Sequence, residues 1–168
     1  SIMKDFLELI RWNHWAKNVF VLAPLFFSGD YYDISNVAQA LKAFFIFCLV
    51  SSCVYIFNDL LDYEADSAHN KKRLRPLPSG RISKPMAVLI LSIMFISSCL
   101  LLYTLRMPIN FIYVVFLYTL INLVYSTGLK HIPVLELMLV SSGFVLRLVG
   151  GGESLSIDLS PWIIYKKK

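Results

Sequence analysis

A series of apolar runs of nearly bilayer length constrains this chain more than any other feature. A membrane-crossing helix needs about 20 predominantly apolar residues. In lipid the backbone must satisfy its own hydrogen bonds, so such runs are read as helices. They recur from about Val37 to Leu61, Pro85 to Tyr103, Ile109 to Tyr125 and Val134 to Val149. Val19 to Phe27 is too short alone, so the first span is expected to begin near Phe6 and to carry Arg11, His14, Lys17 and Asn18 within it. Ile157 to Tyr165 opens a sixth span that stops short. Hydrophobic residues make up 57% of the chain and charged residues only 16%, which excludes an ordinary soluble domain. The expected fold is all-α: a polytopic transmembrane helical bundle of about five spans plus a truncated sixth. It forms one domain over 1–165, followed by the lysine tail 166–168. Its surroundings are a lipid bilayer, and no nucleic acid is expected as partner.

Turn residues punctuate these runs. Ser28 to Asn36 reads as a loop. Asp66 to Lys84 holds Arg75-Pro76-Leu77-Pro78-Ser79-Gly80, which forbids a regular helix. Pro85 suits the first turn of the next span, and Arg106-Met107-Pro108 is a tight connection. Ser126 to Pro133 reads as a second polar loop, and Gly150-Gly151-Gly152 as the end of the fifth span. Cys48, Cys53 and Cys99 all lie in apolar runs with no metal-ligand spacing, so they are read as small buried hydrophobes. The N-terminus carries Lys4, Asp5, Glu8 and Arg11 before any sustained apolar run, unlike a cleavable signal peptide. The lysine and arginine residues of the N-terminal segment, the 66–84 loop and the 126–133 loop put those three on the cytoplasmic side, with Arg106 the one exception opposite.

The chemistry concentrates where the second span meets the 66–84 loop, in Asn58-Asp59-Leu60-Leu61-Asp62-Tyr63-Glu64-Ala65-Asp66. If the helix continues, Asn58, Asp62 and Asp66 follow at i, i+4 and i+8, over roughly 12 Å, with Asp59 beside them. Carboxylates at a helix C-terminus oppose its dipole. They call for a cation, either Mg²⁺, which bridges carboxylates to substrate phosphates, or the nearby Lys71, Lys72, Arg73 and Arg75. Arg11, with Trp12 and Trp15, is expected at the membrane interface. Lys17 and Asn18 are open to interface or cavity. Arg147 lies inside the fifth run, and its nearest acid there, Glu136, is roughly 16 Å away along a helix. Its partner is therefore on another helix or is a substrate phosphate.

The N-D-x-x-D-x-x-x-D spacing resembles the first aspartate-rich motif of the UbiA superfamily of intramembrane prenyltransferases. Arg73 to Gly80 is similar to the loop that follows it there. Arg11-Trp12-Asn13-His14-Trp15-Ala16-Lys17-Asn18, Tyr125-Ser126-Thr127-Gly128-Leu129-Lys130 and Gly143-Phe144-Val145-Leu146-Arg147 resemble the decaprenyl-phosphate phosphoribosyltransferase branch of that superfamily. The resemblance implies Mg-dependent transfer of a 5-phosphoribosyl group from phosphoribosyl diphosphate to a polyprenyl phosphate, for cell-wall arabinan, in a bacterial-type inner membrane. It implies Asn58, Asp62 and Asp66 as Mg²⁺ ligands, and Asp59 and Asp62 as catalytic. It implies Lys17, Asn18, Arg75, Tyr125, Lys130 and Arg147 as substrate-binding. Lys17, Arg75 and Lys130 are each also readable as juxtamembrane cations, and Tyr125, like Tyr63, as packing. Glu136 departs from the family pattern, which has Asp there. The family resembles a nine-helix bundle with a second acidic site, so this chain is expected to be a partial or inactive form. Its open faces leave room for association with another copy. An aromatic prenyltransferase using a polyprenyl diphosphate is the second reading, and a non-enzymatic remnant or subunit the third.

Overall fold

The structure is a computed structural model that describes residues 1–156. Within them every regular element is helical. Helix α1 (Ile2–Ile10) is followed by a 3₁₀ segment (Trp12–Leu22), α2 (Ala23–Ser28) and a short turn. Then come α3 (Ile34–Leu61), α4 (Tyr63–Ser67), α5 (Lys84–Thr104), α6 (Ile109–Val124) with a π-helical extension (Tyr125–Leu129), and α7 (Pro133–Ser154).

Helix α3 is the axis. It holds neither Gly nor Pro over its 28 residues, and Asp33 caps its start by accepting the Ser35 amide at 2.9 Å. It packs on α1, the 3₁₀ segment, α2, α4, α5, α6 and α7. Of its apolar stretch 61% is buried, against 17–22% in the other three membrane-length helices. Those three are Lys84–Thr104, Ile109–Leu129 and Pro133–Ser154, so four helices are long and apolar enough to cross a bilayer. Phe47, Val50, Phe111, Val114 and Tyr118 form the core between α3 and α6. Leu9, Ile10, Ile56, Leu77 and Ala87 form a second core under the acidic motif.

The first expected span is where the structure departs most from the sequence reading. It is not one α-helix. Arg11 adopts a left-handed conformation (φ 52°, ψ 52°) that ends α1, and the chain continues as eleven residues of 3₁₀ helix. Runs of 3₁₀ longer than three or four residues are uncommon. This one is held by side chains that bond to other elements. Trp15 Nε1 donates to Ser52 Oγ at 2.9 Å, and Asn18 Nδ2 to Cys48 Sγ at 3.3 Å. The Ile10 carbonyl, left over at the break, accepts from Ser52 Oγ at 2.7 Å. With three residues per turn, positions three apart share a face. Trp15, Asn18 and Val21 therefore all point at α3 and α7.

Two boundaries also move. Gly150-Gly151-Gly152 does not end the fifth span but lies buried inside α7. A Cβ on Gly151 would sit 1.9 Å from the Val21 carbonyl oxygen, and one on Gly150 would sit 2.8 Å from the Phe47 ring. The glycines are there for close packing, as small residues are between membrane helices. The expected loop at 126–133 is helical through Leu129, because the π-helical turn carries α6 onward. The expected sixth span and the lysine tail lie outside the described residues.

Candidate functional site

The acidic motif keeps its helical spacing through a break. Helix α3 ends at Leu61, and Asp62 (φ −92°, ψ 9°) joins it to α4. The i→i−4 ladder continues across the joint, from the Asp62 amide to Asn58 O at 3.0 Å and from the Asp66 amide to Asp62 O at 2.8 Å. Asn58, Asp62 and Asp66 thus stay one turn apart in succession, as the sequence predicts.

The basic segments close on this motif from three directions. Arg11 Nη2 lies 2.6 Å from Asp59 Oδ1, Arg75 Nη1 lies 3.2 Å from Asp66 Oδ2 and 3.6 Å from Asp59 Oδ1, and Lys130 Nζ lies 2.6 Å from Asp62 Oδ2. Asp59 is 2% exposed and Asp66 3% exposed, so neither carboxylate is a wet helix end. Arg11 is thus part of the ion-pair network of the motif. The left-handed turn at its own backbone brings the guanidinium inward, and the face of the Tyr55 ring lies 4.7 Å beneath it. Beside this network a cavity of about 330 Å³ is lined by Glu8, Arg11, Asn13, His14, Asp59, Lys71, Leu74, Arg75 and Pro76. Arg81 ties the loop over it to α1, reaching Asp5 at 2.6 Å, Glu8 at 3.1 Å and the Leu74 carbonyl at 2.6 Å. Those hydrogen bonds to Glu8 and Asp5 raise the Arg81 pKa above its ordinary value.

Among the described residues two buried side-chain atoms have no hydrogen-bond partner, Asn58 Oδ1 in the acidic motif and His14 Nδ1 in the lining of the cavity. Buried acceptors of this kind are normally satisfied. An amide oxygen with carboxylates one and two turns onward is a hard oxygen donor set, of the kind Mg²⁺ takes. Among the described residues no three His, Cys, Asp or Glu side chains gather closely enough to hold a metal by themselves. The fit to Mg²⁺ therefore rests on Asn58 together with Asp62 and Asp66.

The other expected site residues separate into two places. Arg147, 5% exposed, donates Nε to Asn18 Oδ1 at 2.8 Å and Nη2 to the Tyr118 hydroxyl at 3.2 Å. With Lys17 it faces a smaller cavity of about 180 Å³. Tyr125 instead lines an apolar cavity of about 370 Å³ between α6 and α7, which meets the smaller polar cavity at Leu139 and shares no residue with the cavity at the acidic motif. The sequence reading missed Tyr118, Tyr55 and His14. His14 stands within the quoted Arg11–Asn18 stretch, but nothing marks the two tyrosines among the aromatic residues of apolar helices.

The model of the UbiA prenyltransferase family matches residues 19–165. A decaprenyl-phosphate phosphoribosyltransferase from Mycolicibacterium smegmatis is 37% identical over 98% of this chain and 52% of its own length. The enzyme of that name from Mycobacterium tuberculosis is 34% identical over 98% of this chain and 55% of its own. A 4-hydroxybenzoate octaprenyltransferase from Legionella pneumophila is 31% identical over 67% of this chain and 40% of its own. The chain thus spans about half the length of the curated relatives it matches. A solved structure from work on digeranylgeranylglyceryl phosphate synthase superposes with a TM-score of 0.81 over 96% of this chain and 56% of that one. At 23% identity the likeness is one of fold. Four membrane-length helices around a polar, motif-bearing end, together with the match over residues 19–165, make this chain an integral membrane protein of the UbiA prenyltransferase family.

Proposed function

We propose that this chain carries the donor-binding end of a Mg-dependent transferase, which moves a 5-phosphoribosyl group from phosphoribosyl diphosphate to a polyprenyl phosphate. One observation carries the reading: cations from three separate segments converge on the acidic motif beside a cavity of about 330 Å³. That volume lies within the roughly 300–1,000 Å³ of ordinary ligand pockets. The identity to decaprenyl-phosphate phosphoribosyltransferases over 98% of the chain supports the choice of donor and acceptor. The basic loops at the acidic end support a cytoplasmic orientation of the motif, in a bacterial inner membrane.

In the reaction a lipid phosphate oxygen bonds to the anomeric carbon as the bond from that carbon to diphosphate breaks, and diphosphate leaves with the bonding pair. Mg²⁺, held by Asn58, Asp62 and Asp66, would offset the charge gathering on the leaving group. Arg11, Lys71 and Arg75 donate to diphosphate oxygens. Asp59 acts through Arg11 and Arg75, holding both guanidinium groups in place. Lys130 orients Asp62. The protein's work is alignment and charge compensation.

The test is a lipid-product assay in nanodiscs with Mg²⁺ and polyprenyl phosphate, offering radiolabelled phosphoribosyl diphosphate, on this chain and on a full-length relative. Titration calorimetry on the chain itself accompanies it. Labelled lipid, and Mg-dependent donor binding that Asp62→Asn abolishes, are the expected results. Unchanged donor affinity in Asp62→Asn refutes the metal assignment. The identity to an octaprenyltransferase over 116 residues favours one alternative donor, a polyprenyl diphosphate with an aromatic acceptor. Product from that pair alone would replace the first reading.

A further inference from the structure

The 3₁₀ turn Lys72–Leu74, beside the donor cavity, is built more firmly than an exposed charged loop requires. Every backbone amide from residue 71 to residue 75 is hydrogen-bonded. His69 Nδ1 accepts from the amides of Lys71 and Lys72, each at 3.1 Å, and the His69 carbonyl accepts from the Arg73 amide at 3.3 Å. The amides of Leu74 and Arg75 donate to the carbonyls of Lys71 and Lys72, both at 3.1 Å. Arg81 holds the Leu74 carbonyl with the same guanidinium that reaches Asp5 on α1. What this fixed backbone presents outward is Lys72, Arg73 and a leucine, Leu74, that is 67% exposed. Charges kept for solvation alone would gain nothing from an ordered backbone or an exposed leucine.

Helix α1 brings the same combination alongside. Its buried side, Leu9 and Ile10, packs into the core that also holds Ala87 from the start of α5, which sets α1 at the level where a membrane-length helix begins. At its other end Ile2 is 89% exposed, Met3 is exposed too, and Lys4 follows. An amphipathic helix with apolar and cationic side chains at that level suits the headgroup region of a bilayer. Among the described residues Lys4, Lys71, Lys72, Arg73 and Lys84 form no ion pair. Lys84 lies over the Tyr63 ring instead, at 3.9 Å. The acids left unpaired at this end are Glu64 and Glu136. The excess is positive, so the complementary surface is anionic. The exposed leucine, isoleucine and methionine make it a lipid surface.

This edge is also a wall of the donor cavity. Lys71, Leu74 and Arg75 line that cavity from the turn and Glu8 lines it from α1, and Arg75 reaches both Asp59 and Asp66. We propose that the Lys72–Leu74 turn and the start of α1 form a docking edge for anionic phospholipid headgroups, and that seating it on the leaflet orders the cavity wall. The inference rests on the cytoplasmic orientation and donor cavity of the proposed function, and adds a partner, the anionic leaflet, that regulates donor binding. His69 is a positioning residue, since it holds the backbone that carries both cations.

The experiment uses the chain in nanodiscs of pure phosphatidylcholine and of phosphatidylcholine mixed with phosphatidylglycerol. Native mass spectrometry reads the lipids retained, and calorimetry reads the affinity for pyrophosphate with Mg²⁺. The key variant combines Lys72→Gln and Arg73→Gln, which keeps the turn and removes its charge. Wild type should retain phosphatidylglycerol over phosphatidylcholine, and the variant should lose about 10- to 30-fold of that preference. Relative to wild type, the variant should lose about 5-fold more pyrophosphate affinity in the mixed discs than in the neutral ones. Both proteins meet the same discs, so repulsion of pyrophosphate by anionic lipid cancels. His69→Leu should behave like the charge variant, and His69→Asn, which keeps an acceptor, like wild type. Arg106→Gln removes an exposed cation from the opposite end and should change neither readout. Equal lipid retention by wild type and the charge variant, or an affinity loss that is the same in both discs, overturns the proposal. So does binding of polyglutamate with no lipid preference, which marks a surface for an acidic protein. Lipid preference that responds while Mg-pyrophosphate fails to bind leaves the docking edge standing and refutes the proposed function. Pyrophosphate binding without lipid preference does the reverse.

Discussion

Replacing Gly151 with alanine tests the contact that seats the 3₁₀ segment on α7. The new Cβ would lie 1.9 Å from the Val21 carbonyl oxygen and 2.8 Å from its carbon. Reaching even 3.0 Å requires the two backbones to separate by about 1.1 Å. Neither partner is a side chain with another rotamer to take, so the strain passes into helix position. Overpacking costs typically about 1–3 kcal/mol, and this geometry belongs at the upper end, about 3 kcal/mol. For a chain of this size that lowers the melting temperature by roughly 6–12 °C. Gly128→Ala is the control, since nothing lies within 4 Å of its Cβ position. Its effect should stay within about 1 kcal/mol and favour stability through helix propensity. Both variants are melted in one detergent at one scan rate, followed by circular dichroism. If Gly151→Ala melts with Gly128→Ala, the close approach of α7 to Val21 is wrong. The seating of Asn18 on Arg147, one 3₁₀ turn away, is then unsupported.

Arg11→Ala should destabilise by about 3 kcal/mol, because it leaves the buried carboxylate of Asp59 with only the 3.6 Å approach of Arg75. Adding Asp59→Asn should restore at least half of the loss in the same melting assay, and a double variant no better than the single one refutes the pairing. Ser52→Ala should cost about 1–3 kcal/mol, since it deprives both Trp15 Nε1 and the Ile10 carbonyl of a partner. A thermal shift near zero would mean that the break after α1 is not held from α3. Arg81→Ala, on exposed side chains, should cost under about 1 kcal/mol, and melting curves at low and high salt should show the difference shrinking as salt rises.

The apolar runs made α3, α5, α6 and α7 legible, because a bilayer tolerates few alternatives to a helix. The acidic motif was legible by spacing alone, and Asn58, Asp62 and Asp66 keep that spacing even where α3 gives way to α4. What the sequence hid was set by tertiary contact. Nothing local to Arg11 marks Asp59, 48 residues later, as its partner. The 3₁₀ segment reads as part of an α-helix because its bonds to Ser52, Cys48 and Arg147 are invisible locally. Three successive glycines read as a helix end because what they admit, the backbone at Val21 and the ring of Phe47, belongs to other elements.

The 3₁₀ segment also restricts how this protein can change length. Trp15, Asn18 and Val21 reach Ser52, Arg147 and Gly151 because a full turn there takes three residues. One residue inserted between Trp12 and Leu22 would rotate everything after it by about 120° and send Asn18 or Val21 into lipid. An α-helical entry to the same bundle would have carried no such arithmetic. Insertions and deletions here should survive only in steps of three, so this stretch keeps its reading frame twice, once in the gene and once in the fold.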